Sequence, residues 1–110
     1  MITSIALLKA REGLSRAELI DYYENHHVPL ILSLAPAPAH YRRTYLPEAG
    51  ERTFPADFDV VTHLTFADED TRRAWLRLVL AEGSGVAEDE ARFLDRSATR
   101  GWIVQEHVTA

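Results

Sequence analysis

Tyr23 and His27 stand four residues apart, a spacing that stacks two side chains on one face of a helix. Leu19 and Leu30 fall on the same face, so it is expected to point inward. An imidazole there titrates near neutral pH and can take or give a proton, which makes His27 a candidate general base or acid. Tyr23 would orient it, or donate to a developing oxyanion. The rival reading of His27 is structural: a buried neutral ring donating to a backbone carbonyl freed by Pro29. His26 is turned about 100° from its neighbour. The two cannot ligate one metal from one helix face, and His26 is expected at the surface or rim.

His63 lies in a predicted strand. It either meets His27 across a cavity, as a substrate-binding group, or sits in a dimer core, and the sequence leaves its face open. Tyr41, Arg43 and Tyr45 alternate along another strand and share one face. Their guanidinium and phenols suit an anionic or aromatic ligand; equally, they suit cross-strand pairing at a dimer seam. Trp75 and Trp102 are expected in the core, and His40 and His107, near strand ends, in solvent.

Other chemistries find no support. There is no cysteine, which removes disulfides, thiolate metal sites and Cys nucleophiles together. No H-x-x-x-H, H-E-x-x-H or carboxylate triad offers metal-ligand spacing, so neither metal nor cofactor is expected. Gly83-Ser84-Gly85 follows no strand and is not a phosphate loop, and no G-x-S-x-G elbow occurs. A net charge of -5 argues against nucleic acid, and Arg42-Arg43 is too small a basic patch to overturn that. No apolar run approaches the roughly 20 residues that span a bilayer. Without a basic n-region or an A-x-A site at its start, the chain is expected in the cytoplasm.

These groups must be positioned by elements that the periodicities mark out. Residues 2–9 suggest a buried strand. Ser15 with Glu18 forms a capping box for a helix carrying Leu19, Ile20, Tyr23, His27, Leu30, Ile31 and Leu34 at 3–4-residue spacing. Pro29 inside it predicts a kink or restart near residues 26–28. Strands follow over 39–46 and 58–66, separated by a long exposed loop with Gly50 and Pro55. Asp68 caps a helix to about Glu82, a second short helix runs over 86–96, and residues 101–108 make the last strand. Along the third strand, Phe58, Val60, Thr62, Leu64 and Phe66 share one face, and Asp59, Val61, His63 and Thr65 the other.

The 110 residues fit a single domain, 1–110, with 46% hydrophobic and 26% charged residues, an ordinary globular mix. The order β-α-β-β-α-β predicts an α+β, ferredoxin-like fold: a four-stranded antiparallel sheet, first and third strands central, second and fourth at the edges. Helices can cover only one sheet face. The other still carries apolar residues, and burial against its own copy, a homodimer, is the simplest closed solution.

Gly13-Leu14-Ser15 followed by Tyr23, His27, Pro29 and Leu30 resembles the hallmark of the EthD-domain family, a "G-L-S" helix start and then "H-x-P-L". Val28 stands where the family usually has alanine. Asp59–Asp68 is similar to the family's third strand, and Glu88–Asp95 to its "D-E-x-x-F-x-D" helix. The resemblance covers nearly the whole chain. It implies a dimeric α+β barrel, with the sheets of two monomers facing each other and a cavity between sheet and helices in each. In the wider group it implies cofactor-free monooxygenases, polyketide cyclases, muconolactone-type isomerases and haem-degrading enzymes. The expectation is therefore a metal-free, cofactor-free homodimeric enzyme, monooxygenase-like or a cyclase or isomerase. It would move a proton on a small hydrophobic metabolite, aromatic or polyketide-like, with His27 and Tyr23 catalytic and His63, Tyr41, Arg43 and Tyr45 binding substrate. The alternatives are a non-catalytic small-molecule-binding protein and a haem-binding protein with His27 as axial ligand.

Overall fold

The structure, a computed structural model, describes residues 1–110. The chain runs β1 (Ile2–Leu8), α1 (Arg16–Tyr22), a π-helical turn (Tyr23–His27), α2 (Val28–Leu34), β2 (His40–Tyr45), β3 (Val60–Phe66), α3 (Glu69–Val79), α4 (Val86–Phe93) and β4 (Arg100–Val104). The four strands pair antiparallel in the order β2-β3-β1-β4, so the expected ferredoxin-like topology is present.

The α1 capping box forms in both directions: Ser15 Oγ accepts from the Glu18 N–H (3.1 Å) and Glu18 Oε1 from the Ser15 N–H (3.0 Å). Gly13, at φ 85°, makes the left-handed turn into it. The expected restart occurs: α1 ends at Tyr22 and α2 begins at Val28, next to Pro29. A π-helical turn intervenes, in which the Val28 N–H bonds to the Tyr23 carbonyl five residues back. The hydrogen-bond ladder has thus changed register before Pro29. Proline then sits in the first turn of α2, where its missing N–H leaves no gap. Tyr23 and His27 consequently both keep their inward aim.

Two later helices end earlier than predicted. Ser84 Oγ donates to the Val79 carbonyl (2.9 Å) and Gly83 takes φ 81°, which closes α3 at Val79. Leu94 turns extended to bridge Ala10, which closes α4 at Phe93.

Register settles the faces of the sheet. Val60, Thr62, Leu64 and Phe66 lie toward the helices, together with Ile2, Ala6 and Leu8 of β1 and Tyr41, Arg43 and Tyr45 of β2. The opposite face carries no helix. Across it run Arg42–His63–Ile5–Trp102 and Thr44–Val61–Leu7–Arg100 in successive rows. Trp102 is therefore not core: it stands on the uncovered face, 52% exposed, whereas Trp75, on α3, is buried as predicted. Beyond β4 the chain leaves the sheet instead of extending the strand to residue 108. Glu106 then reaches Arg42 on the far edge strand (3.3 Å). No helix is long and apolar enough to cross a membrane.

Candidate functional site

The π-helical turn and α4 build the site between them. His27 is 5% exposed, and its Nδ1 lies 2.8 Å from Asp89 Oδ2. An ionised carboxylate can only accept, so Nδ1 carries the proton and Nε2 presents its lone pair. Nε2 has no hydrogen-bond partner within the chain, and it is not among the sealed orphan atoms of the interior. It is thus a free acceptor at the edge of the fold. The structural alternative, in which His27 satisfies a carbonyl released by Pro29, does not occur: the ring is held by a carboxylate.

The other Asp89 oxygen accepts from the Tyr22 hydroxyl at 2.6 Å. Four residues along α4 from Asp89, Phe93 lies 5.1 Å from the Tyr22 ring, 5.3 Å from Tyr23 and 4.9 Å from His27, centroid to centroid. Asp89 and Phe93 share a helix face at i and i+4. One residue grips the polar edge of the cluster and the other fills its middle.

Tyr23 points toward the sheet. Its ring meets His27 edge-on (5.5 Å, 78°), which fixes the imidazole plane. The Tyr41 hydroxyl donates to the Tyr23 oxygen over 3.2 Å, leaving Tyr23 its own proton for Thr62 Oγ1 at 2.8 Å. Burial pushes the Tyr23 phenol up from its ordinary range, and burial does the same for Tyr41 and Tyr45. All three phenols stay protonated near neutral pH, as donors and not bases.

Arg43 is spent inside the chain. Its Nε donates to Glu24 Oε2 (2.9 Å), a second guanidinium nitrogen donates to the other Glu24 oxygen, and a third to the Tyr41 carbonyl (2.8 Å). Tyr45 donates to Glu24 as well. The Arg43 guanidinium holds the Glu24 carboxyl below its usual range. These residues lie on the helix-covered face of the sheet and not on its bare face.

His63 faces away from this cluster, on the uncovered side, opposite Arg42 and Ile5. It cannot meet His27 across a cavity, because the sheet lies between them. His26 is exposed and stacks on Tyr22 (4.8 Å), and His40 and His107 are exposed, as predicted. Phe93, Tyr23 and Thr62 pack the layer beside His27. The five main clefts are lined by other residues: one of about 270 Å³ borders Arg16, Leu46 and Arg52, and another of about 550 Å³ lies on the uncovered face by Thr3, His40 and Thr65. None of these five includes His27. No group of three or more His, Asp or Glu could hold a metal ion.

Sequence reasoning missed Asp89, Tyr22, Glu24 and Thr62. Asp89 carried a signal, since the "D-E-x-x-F" pattern places it four residues before Phe93 on one face.

The EthD domain matches residues 11–97. Among solved structures, an EthD family protein from Bacillus halodurans superposes with a TM-score of 0.68 at 18% identity, covering 97% of this chain and 100% of that one. A NIPSNAP domain protein from Burkholderia xenovorans gives 0.69 at 12%, covering 100% and 98%. A dimeric protein of ferredoxin-like fold from Bacteroides fragilis gives 0.62 at 11%, covering 96% and 95%. No curated protein matches the chain.

Proposed function

The chain belongs to the EthD domain family, and on that premise we propose that it is a metal-free proton-transfer enzyme in which His27 is the base. The observation that carries this reading is the buried imidazole bonded through Nδ1 to Asp89, with Nε2 left without a partner. A carboxylate behind an imidazole fixes its tautomer and stabilises the imidazolium formed when Nε2 takes a proton. Tyr22, Tyr23 and Phe93 give the imidazole apolar surroundings, and a small apolar substrate, aromatic or polyketide-like, would reach Nε2 from the outer side of that packed layer. The proton leaves an enolisable C–H or a phenol for Nε2, and the electron pair stays on the substrate as an enolate or phenolate. Its return at another carbon is an isomerisation, and attack of the enolate carbon on a carbonyl is a cyclisation. Reaction of an electron-rich anion with O₂ would be the cofactor-free oxidation. Tyr23 orients His27 by its edge-on contact and by its own tether to Thr62.

Solvent-deuterium exchange tests this. Apolar aromatic ketones such as 2-tetralone should exchange their α-hydrogens faster with the protein, and His27→Gln should lose at least about 100-fold of that rate, the usual share of general base catalysis. An unchanged rate in His27→Gln would sink the reading.

The same chain is proposed to be a homodimer through its helix-free sheet face. Ile5, Leu7, Val61 and Trp102 line up there without cover, and a fold neighbour is dimeric. Sedimentation should give a dimer at micromolar concentration, and Trp102→Asp a monomer; a monomeric wild type removes this part.

A second reading has its own observation. The layer beside His27 is packed by Phe93 and Tyr23, which favours a non-catalytic binding protein whose polar cluster is structural. Ketones that bind without accelerated exchange would select it.

A further inference from the structure

We propose that Tyr22 is a positioning residue, the third member of a Tyr22–Asp89–His27 chain that sets the acidity of the His27 imidazole. The inference rests on the reading of His27 as the proton-transfer group and adds the means by which that group is tuned.

The geometry is specific. The Tyr22 hydroxyl donates to Asp89 Oδ1 at 2.6 Å, on the carboxylate that receives His27 Nδ1–H at 2.8 Å through Oδ2. The Tyr22 ring stacks with two others, His26 at 4.8 Å and 27° and Phe93 at 5.1 Å and 28°. A ring clamped so leaves its hydroxyl little freedom, and the bond to Asp89 is set before any substrate arrives. Tyr22 is also well placed in the chain. It ends α1, directly before the π-helical turn that carries His27, so one helical run supplies both partners of a carboxylate on α4.

The chemistry follows from the charges. Asp89 accepts two bonds, one on each oxygen. The Tyr22 bond draws negative charge toward Oδ1 and away from the imidazole on Oδ2. The imidazolium form of His27 is stabilised by what remains. Removing the Tyr22 hydroxyl returns that charge to Oδ2, strengthens the pull on the His27 proton and makes Nε2 a stronger base. The other groups around the imidazole are the Tyr23 phenol, which stays neutral, and beyond Tyr22 the ring of His26 and the guanidinium of Arg92. Burial pushes the Tyr22 phenol up from its ordinary range, Asp89 adds to that and Arg92 opposes it.

An NMR titration of the imidazole carbons reads this without any substrate. In the wild type, neutral His27 should be the Nδ1–H tautomer. Asp89→Asn should lower the pKa of His27. Tyr22→Phe keeps the stacked ring and should raise it, by about three- to tenfold in the dissociation constant. Opposite shifts in the two variants support the chain. A lowered pKa in Asp89→Asn with no change in Tyr22→Phe overturns the role of Tyr22 and leaves the His27–Asp89 pair. No change in either overturns both. The deuterium-exchange test of His27 stands apart: its failure with opposite NMR shifts would reject the enzyme while keeping the hydrogen-bonded chain.

Discussion

The layer between sheet and helices holds two halves of a core, and they are filled by different means. One half, around Leu8, Leu19, Tyr23, Val60, Phe93 and Leu94, is threaded with hydrogen-bonded side chains: Tyr23 to Thr62, Tyr41 to Tyr23, His27 and Tyr22 to Asp89. The other, around Ile31, Ala35, Phe66, Trp75, Val79 and Val86, has no such network, and its Trp75 Nε1–H is buried without a partner. Both halves pack the same sheet against the same helical layer. The dry half shows that apolar packing suffices to join these layers. The network in the other half is therefore an addition, one that must satisfy every buried polar atom to avoid a desolvation loss of about 1–3 kcal/mol each.

The largest effect should come where the networked half leans on apolar packing. Phe93 is 0% exposed and touches the rings of Tyr22, Tyr23 and His27. Phe93→Ala should cost about 3–5 kcal/mol in urea unfolding, the range for a fully buried phenylalanine. It should also blur the His27 resonances, because the ring that fills the cluster is gone. Phe66→Ala in the dry half should cost a similar amount and leave the His27 resonances where they are. Equal disturbance of His27 by both would show the halves to be one unit.

Next comes the polar pair itself. Asp89→Leu strands the His27 and Tyr22 donors, and His27→Leu strands a carboxylate; each should cost about 1–3 kcal/mol. The double variant leaves only the Tyr22 hydroxyl without its acceptor and should be clearly more stable than the worse single variant. If instead the double variant is as unstable as the worse single one, the pair is a clamp between α4 and the π-helical turn, and the structural reading gains.

Sequence patterns made most of the framework legible and the site only in part. The capping box at Ser15 and Glu18 is a local device, and local residue types suffice to read it. Strand order followed from element order and handedness. The faces did not, because β1 is apolar on both sides, with Ile2, Ala6 and Leu8 toward the helices and Ile5 and Leu7 away from them, although β3 sets Val60, Leu64 and Phe66 against the single Val61. Trp102 was misplaced for a related reason, since a large aromatic on an edge strand suits either face. Pro29 signalled a disruption, but its form, a π-helical turn, depends on how the neighbouring ladder shifts. For the site, Tyr23 and His27 were visible as an i, i+4 pair. Asp89 was hidden because its partner lies 62 residues away, and no periodicity links an α4 carboxylate to a helix that far off.

A smaller effect should come from the dry half. Trp75 Nε1 is its orphaned buried donor, and Trp75→Phe removes that donor while keeping an aromatic ring against Phe66, now 5.4 Å away. Lost volume and the removed penalty oppose each other, so the net change should stay within about 1.5 kcal/mol, as for other shape-preserving core exchanges. Thr62→Val is its counterpart across the comparison, because it strands the Tyr23 hydroxyl proton and should cost about 1–3 kcal/mol. A loss in Trp75→Phe exceeding that of Thr62→Val would reverse the contrast between the halves.

The smallest effect lies at the rim of the networked half and depends on pH. Glu24 is paired with Arg43 and Tyr45, and its folded pKa is lowered, first by the hydrogen bond from Arg43. A depressed carboxyl stabilises the fold above its unfolded pKa of about 4.3 and loses that contribution as pH falls through the folded value. Glu24 is partly exposed, so solvent screening holds the contribution to about 1 kcal/mol or less. Glu24→Gln should therefore be slightly less stable than the wild type at pH 7, and the gap should shrink as pH falls below about 4.3, read from urea midpoints. A gap that persists undiminished at low pH would place the value of Glu24 in its packing and hydrogen bonds instead of its charge. The networked half would then be held together, at this edge, by the same kind of contact as the dry one.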